Sequence, residues 1–315
     1  MPNRKKHIIL GAGGAIGNAL TAELLSNDEN VRLVSRTGHD IEGAESLSAD
    51  LTDADATNKV IDESSIVYLM VGLPYDISVW REKWPPIMKN TVEPCKAKNA
   101  RLLFFDNCYM YGKVDGKMTE ETPVNPTSKK GEVRAQIADY LLTEIDRGSI
   151  NAIIARSADF YGPYADETSI PYLFIFDKFA KGKKPQAIAN AKALHSYTYT
   201  LDCAKALNVL ANDESAYGQV WHLPTASPPL TSEEFISLTA EKLGRNPDYT
   251  VMKKWMVWLG GLFDKQAKEV YEMLYQNEYD YQFDSSKFEK HFNFTPTPYD
   301  KGIEDTIQFY RAETH

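Results

Sequence analysis

The eleven residues LGAGGAIGNAL, from Leu10 to Leu20, constrain the fold more than any other stretch. They follow a short apolar run, HIIL at 7–10, and open a segment with Ile16, Leu20 and Leu24 at helical spacing. Gly11, Gly14 and Gly17 stand three apart, with Gly13 extra. Strand, glycine turn and helix in that order let the backbone approach a pyrophosphate. One glycine permits the tight turn, one the close approach and one the packing of helix on strand. The phosphates then rest on free N–H groups at the helix N-terminus. Gly11, Gly13, Gly14, Ala15, Ile16 and Gly17 are the expected phosphate-binding residues.

The alternation continues. VRLVS (31–35), SIVYLMVG (65–72), RLLFFDN (101–107) and NAIIARS (151–157) read as strands, with helices predicted over 15–26, 78–98 and 131–145 between them. Near-continuous apolar strands suit a parallel sheet covered on both faces. A Rossmann-type α/β fold follows, a doubly wound parallel sheet. After about 160 the rhythm changes. A helix at 201–212 and a strand at 218–224 rejoin the sheet, while 161–199 and 225–315 read as a smaller, mostly helical, aromatic-rich substrate lobe. The dinucleotide domain is then 1–160 plus about 200–224.

The length of 315 residues accommodates two such units. A net charge of −9 argues against duplex nucleic acid as partner. No apolar run approaches the ~20 residues that span a bilayer, and the basic start runs into glycine too soon for a signal segment. Cys95, Cys108 and Cys203 are scattered, without CxxC, and the six histidines show no paired spacing. No metal site and a reduced, cytoplasmic setting are expected.

The second strand ends in Ser35 and Arg36 where an acid usually holds the ribose hydroxyls of NAD. An arginine there pairs with a 2′-phosphate, so NADP is favoured, with NAD the alternative. Asp50, followed by Leu51, is placed to accept from the adenine amino group or to serve as a turn residue. Val71 and Gly72 end the next strand, where a small residue lets the cofactor pass.

These motifs resemble the extended short-chain dehydrogenase/reductases, the NAD-dependent epimerase/dehydratase group, over nearly the whole chain. GAGGAIG fits its GxxGxxG. The segment ending FFDNCYMYG resembles its SSxxVYG, ARSADFYGP its RPxNVYGP, and HSYTYTLDCAKAL its late strand and helix. The resemblance implies an NAD(P) domain with a substrate lobe, often for nucleotide sugars, and frequent dimers. The helices at 78–98 and 131–147 are then the candidates for a homodimer interface.

The family's serine and Tyr-x-x-x-Lys are missing. By the resemblance the serine position carries Asn107, and the tyrosine and lysine positions carry Lys130 and Arg134. Two literal YxxxK strings, Tyr109–Lys113 and Tyr249–Lys253, lie off the expected helix. Such a set resembles an atypical subgroup with a degraded active site. Asn107 can orient a carbonyl, and Tyr109 can give a proton if its acidity rises from the ordinary ~10. Lys130 and Arg134 share one helix face, and a guanidinium beside Lys130 would disfavour its charged form. Lys130 is therefore a replacement proton donor, or part of a solvated basic turn. His195 and Arg245 could meet a phosphate. Two functions remain open: an NADP-dependent oxidoreductase or epimerase acting on a small-molecule carbonyl, hydroxyl or nucleotide sugar, and a non-catalytic NADP(H) sensor.

Overall fold

The computed structural model describes residues 5–166 and 169–313. Of the turn-rich excursion at 161–172, Glu167 and Thr168 lie outside the described residues. Seven strands form one sheet: β1 Lys6–Leu10, β2 Asn30–Ser35, β3 Glu45–Ser48, β4 Ile66–Leu69, β5 Arg101–Asp106, β6 Ala152–Arg156 and β7 Val220–His222. Their order is β7-β6-β5-β4-β1-β2-β3, and every pairing is parallel. The order reverses beside β1. In open α/β sheets this is where ligands bind, at the carboxyl ends of the strands.

Successive strand residues point to opposite faces. Ile8 and Leu10 therefore join Val67, Leu69, Leu102 and Phe104 under α3 (Ile77–Ala97) and α4 (Lys129–Asp146). Ile9 joins Leu33, Tyr68, Leu103 and Ile153 under α1 (Ala15–Ser26) and α5 (Thr200–Asn212). Both faces are covered, which is why the central strands carry apolar residues at consecutive positions.

An edge strand and a short surface helix leave little trace in the sequence. β3, with sequence ESLS, pairs only with β2 at the sheet edge and is not buried, so it carries no apolar run. α2, Ala54–Val60, buries only Thr57 and Val60. The later part holds α6 (Ser232–Leu243), α7 (Lys254–Gly260), α8 (Lys265–Tyr271), α9 (Ser286–Phe292) and α10 (Tyr299–Glu313). It also uses short strand pairs, such as Gln186–Ile188 with Thr250–Met252, two to three residues long and too short to show a period.

Candidate active site

The glycine turn is built as its spacing predicts. Gly11 adopts φ +93°, and a Cβ there would stand 2.6 Å from Val71 Cα. No other residue type fits that crossing of β1 and the end of β4. Gly13 also has positive φ, +96°. Gly14 caps α1 with no side-chain bond, and the first turn carries no acid. The first amide bonded one turn back is that of Asn18, to Gly14 O at 2.9 Å. The amides of Ala15, Ile16 and Gly17 precede it and have no intrahelical carbonyl. A dinucleotide's pyrophosphate suits such a turn. Gly17 is less constrained than expected, since a Cβ would meet its nearest neighbour at an ordinary 3.7 Å.

At the end of β2, Ser35 Oγ is buried and has no hydrogen-bond partner within the protein. A buried hydroxyl without a partner is costly, and a ribose or phosphate oxygen would supply one. Arg36 beside it is exposed and makes no ion pair among the described residues. Asp50 turns onto its own chain. Its Oδ1 accepts from Thr52 N at 2.9 Å and Thr52 Oγ1 at 2.7 Å, and these bonds hold its carboxyl below the usual range. Leu51 is buried, Val71 half-buried and Gly72 exposed, with nothing within 4 Å of a Cβ placed on Gly72.

The strand RLLFFD ends in a buried charge network. Asp106 Oδ1 accepts from Arg134 Nε at 2.7 Å and from Arg134 Nη2, and Asp106 Oδ2 lies 3.5 Å from Arg156 Nε. Arg156 Nη1 donates to Tyr111 Oη at 2.7 Å. His222 Nδ1 lies 2.9 Å from Asp284 O, so it carries the proton, and Tyr111 donates to His222 Nε2 at 2.7 Å. Arg134 also packs over Trp84, 4.5 Å from the ring centre. It is a buried strut tying α4 to β5, and its Nε and Nη2 are engaged there.

Asn107 is half-buried, and its Oδ1 accepts from Tyr109 N at 3.0 Å. Tyr109 stacks on Trp80 at 6.2 Å, and its hydroxyl meets that of Tyr75. Burial and the charge of Asp159 push this phenol above its ordinary range, opposite to what a proton donor at neutral pH requires. Cys108 is buried, and its thiol is pushed up to about 12 by burial, so it is inert.

Lys130 is the second residue of α4 and is 0% exposed. Its Nζ donates to Glu269 O at 3.1 Å, to Glu269 Oε2, and to Glu272 Oε1 at 2.8 Å. The Tyr75 ring lies 4.4 Å away. The same carboxylates serve two helix starts. Glu269 Oε2 accepts from Ile77 N at 3.2 Å and Glu272 Oε2 from Lys129 N at 3.1 Å. Negative charge at a helix N-terminus is favourable. This corrects the expectation of a solvated turn: Lys130 is fully buried, and its ammonium is met by two carboxylates, a carbonyl and an aromatic ring. Gly131 permits the approach, since a Cβ there would stand 2.5 Å from Tyr109 O. Nothing local in the sequence marks Glu269 and Glu272, which lie 139 and 142 residues from Lys130.

His195 is buried. It faces Asp159 Oδ2 at 3.0 Å and Gln276 O at 3.1 Å, and stacks on Tyr281. Arg245 is exposed just past α6. The two YxxxK strings lie off α4: Lys113 packs over Tyr279, and Tyr249 and Lys253 border a groove. No cluster of three or more metal-ligating side chains occurs among the described residues. None of their helices is long and apolar enough to cross a membrane.

A family model for the NAD dependent epimerase/dehydratase family matches residues 7–222. The chain belongs to that family.

The NAD-dependent epimerase/dehydratase fold extends over nearly the whole chain in solved structures. A dTDP-glucose 4,6-dehydratase from Bacillus anthracis, solved in complex with NAD, superposes with a TM-score of 0.79 at 15% identity, covering 98% of this chain and 97% of that one. A dTDP-glucose 4,6-dehydratase from Streptomyces venezuelae with NAD and TYD bound gives 0.80 at 16%, with the same coverage. A UDP-glucuronic acid 4-epimerase from Bacillus cereus, in complex with UDP-glucuronic acid and NAD, gives 0.79 at 16%, covering 98% and 99%. No curated protein matches the sequence. In this epimerase/dehydratase family member the Rossmann sheet and the glycine turn are kept.

Proposed function

We propose that this protein is an NADP-dependent oxidoreductase or epimerase acting on a carbonyl or secondary alcohol, with Lys130 in place of the tyrosine proton donor. The observation that carries the reading is the glycine turn at the head of α1, with Gly11 packed against Val71, beside the partnerless Ser35 Oγ at the end of β2. When bound, the dinucleotide supplies or accepts a hydride at the substrate carbon. Lys130 holds the proton that the substrate oxygen receives, and Asn107 orients that oxygen. Glu272 is the more exposed carboxylate, with a side chain 23% exposed against 10% for Glu269, so it is the one that yields to substrate. The buried Ser35 Oγ and exposed Arg36, with no acid at the end of β2, support NADP over NAD. The reading includes a division into a dinucleotide domain at 1–160 plus 200–224 and a substrate lobe, a homodimer through α3 and α4, and a reduced cytoplasmic setting, in keeping with three buried free thiols.

A second reading, a non-catalytic NADP(H) sensor, is favoured by the same ammonium: three acceptors already engage it, and Tyr109 is pushed away from proton donation. Oxidation of NADPH by a panel of carbonyl compounds and nucleotide sugars separates the two. Turnover that Lys130→Met abolishes, with NADPH affinity unchanged, supports the enzyme. Equal turnover in the variant rules out Lys130 as donor, and tight cofactor binding with no turnover on any substrate favours the sensor.

A further inference from the structure

A groove of about 860 Å³ opens in the C-terminal part of the chain, within the size range of small-molecule sites. The turn Ala189–Lys192, which follows the strand Gln186–Ile188, and Val251 of its partner strand Thr250–Met252 line one side, and α7 and α8 contribute the other. Tyr249, Trp255, Trp258 and Tyr271 give it four aromatic walls. Three exposed lysines, Lys192, Lys253 and Lys254, line it, and no acidic residue does. Lys254 is held by Glu278 at 2.8 Å, whereas Lys192 and Lys253 make no ion pair among the described residues.

The polar groups of the lining are mostly donors. Asn190 is the lone amide in the lining. Its Nδ2 donates to Glu278 O at 3.3 Å and its Oδ1 accepts from Lys192 N at 3.0 Å. What else the lining offers for hydrogen bonding is the phenols of Tyr249 and Tyr271, two indole N–H groups and the ammoniums, a set made up mostly of donors and suited to an anionic head. The apolar surface runs on outside. Trp255 is 58% exposed and Trp258 52%, and beyond them Leu262 and Phe263 are 60% and 92% exposed. Large exposed apolar groups gathered on one segment mark a contact with something apolar.

We propose that this groove binds an anionic amphiphile, a molecule with an apolar chain or ring body and a carboxylate or phosphate head. The body lies against Trp255, Trp258 and Tyr271, and the head meets Lys192 and Lys253. α8 carries Tyr271 into the groove and Glu269 onto Lys130, so an occupant lies one helix from the closed site. The assignment stands on the groove alone. Failure of dinucleotide binding leaves it intact, and its own failure leaves the dinucleotide site intact.

Tryptophan fluorescence of the full chain tests it. Dodecanoate and dodecyl phosphate, below their micellar concentrations, are titrated against dodecyltrimethylammonium and UDP. The two anions are expected to saturate at least tenfold more tightly than the cation or UDP. Trp258→Ala and the double change Lys192→Gln with Lys253→Gln each weaken the anions about tenfold, with calorimetric NADPH affinity unchanged. Equal binding of the cationic chain, tighter binding of UDP, or unchanged affinity in both variants overturns the proposal. Sedimentation with phosphatidylglycerol vesicles separates the sources. Vesicle binding lost in Trp258→Ala assigns the head group to a bilayer lipid, and dodecyl phosphate binding without vesicle binding assigns it to a free ligand.

Discussion

Lys130 and Glu269 form a buried ion pair across 139 residues of chain, and Glu272 adds a second carboxylate to the same ammonium. Removing the cation leaves two carboxylates facing each other in a closed site. Breaking a buried pair costs about 3–5 kcal/mol, and partial exposure of the carboxylates lowers this to about 2–3 kcal/mol for Lys130→Met. Urea denaturation measures it, and adding Glu269→Gln and Glu272→Gln restores at least half the loss. A single variant as stable as the parent would contradict the pairing.

Gly11 and Gly17 separate two roles of the glycine turn. Gly11→Ala meets both a positive φ and a backbone contact at 2.6 Å. It is expected to lose about 2 kcal/mol or more of stability and at least tenfold in dinucleotide affinity. Gly17→Ala, with its nearest neighbour at 3.7 Å, stays within about 1 kcal/mol of the parent. Denaturation and calorimetry on both variants check the pair.

Arg36 sets the cofactor preference in the proposed reading. Charge-assisted hydrogen bonds contribute about 1.5–3 kcal/mol, so Arg36→Ala should weaken NADPH about tenfold to a hundredfold and leave NADH nearly unchanged. Parallel titrations with the two cofactors read this directly. An equal effect on both would show that Arg36 does not meet the 2′-phosphate.

His222 gives the fold an acid limit. Burial lowers its pKa to about 3, against an ordinary value near 6.5. As pH falls below 6.5 the unfolded chain binds the proton first. Stability is therefore full above pH 6.5 and declines from there toward pH 3. At pH 5 the loss is about 2 kcal/mol from this residue. His7, lowered to about 4 chiefly by burial, adds a loss of the same sign. Denaturation midpoints at pH 7.5 and 5.0 test this, and a flat profile between them would contradict it.

Much of the site's frame was legible in the sequence. α1 was placed at its observed limits, and β1, β2, β5 and β6 to within one residue, because their apolar periods are set by neighbours along the chain. β3 and α2 were missed because an edge strand and a short surface helix bury too little to leave a pattern. The stretch from Arg101 to Val114 was readable as strand and turn, but not the direction of its chemistry. Asp106 turned out to be a buried anchor, and Tyr109 a stacked ring with a weakened acid.

The sequence by itself determined the parallel sheet and the glycine turn at the head of α1, since both rest on backbone geometry that short-range spacing dictates. Tertiary structure alone decided the company that Lys130 and Arg134 keep. Two residues one helical turn apart were drawn to different carboxylates, one on α8 with its successor Glu272, the other at the end of β5. The physical reason is that a buried charge takes whichever opposite charge the folded chain brings to it, and periodicity along α4 carries no record of where residues 269 and 272 will pass.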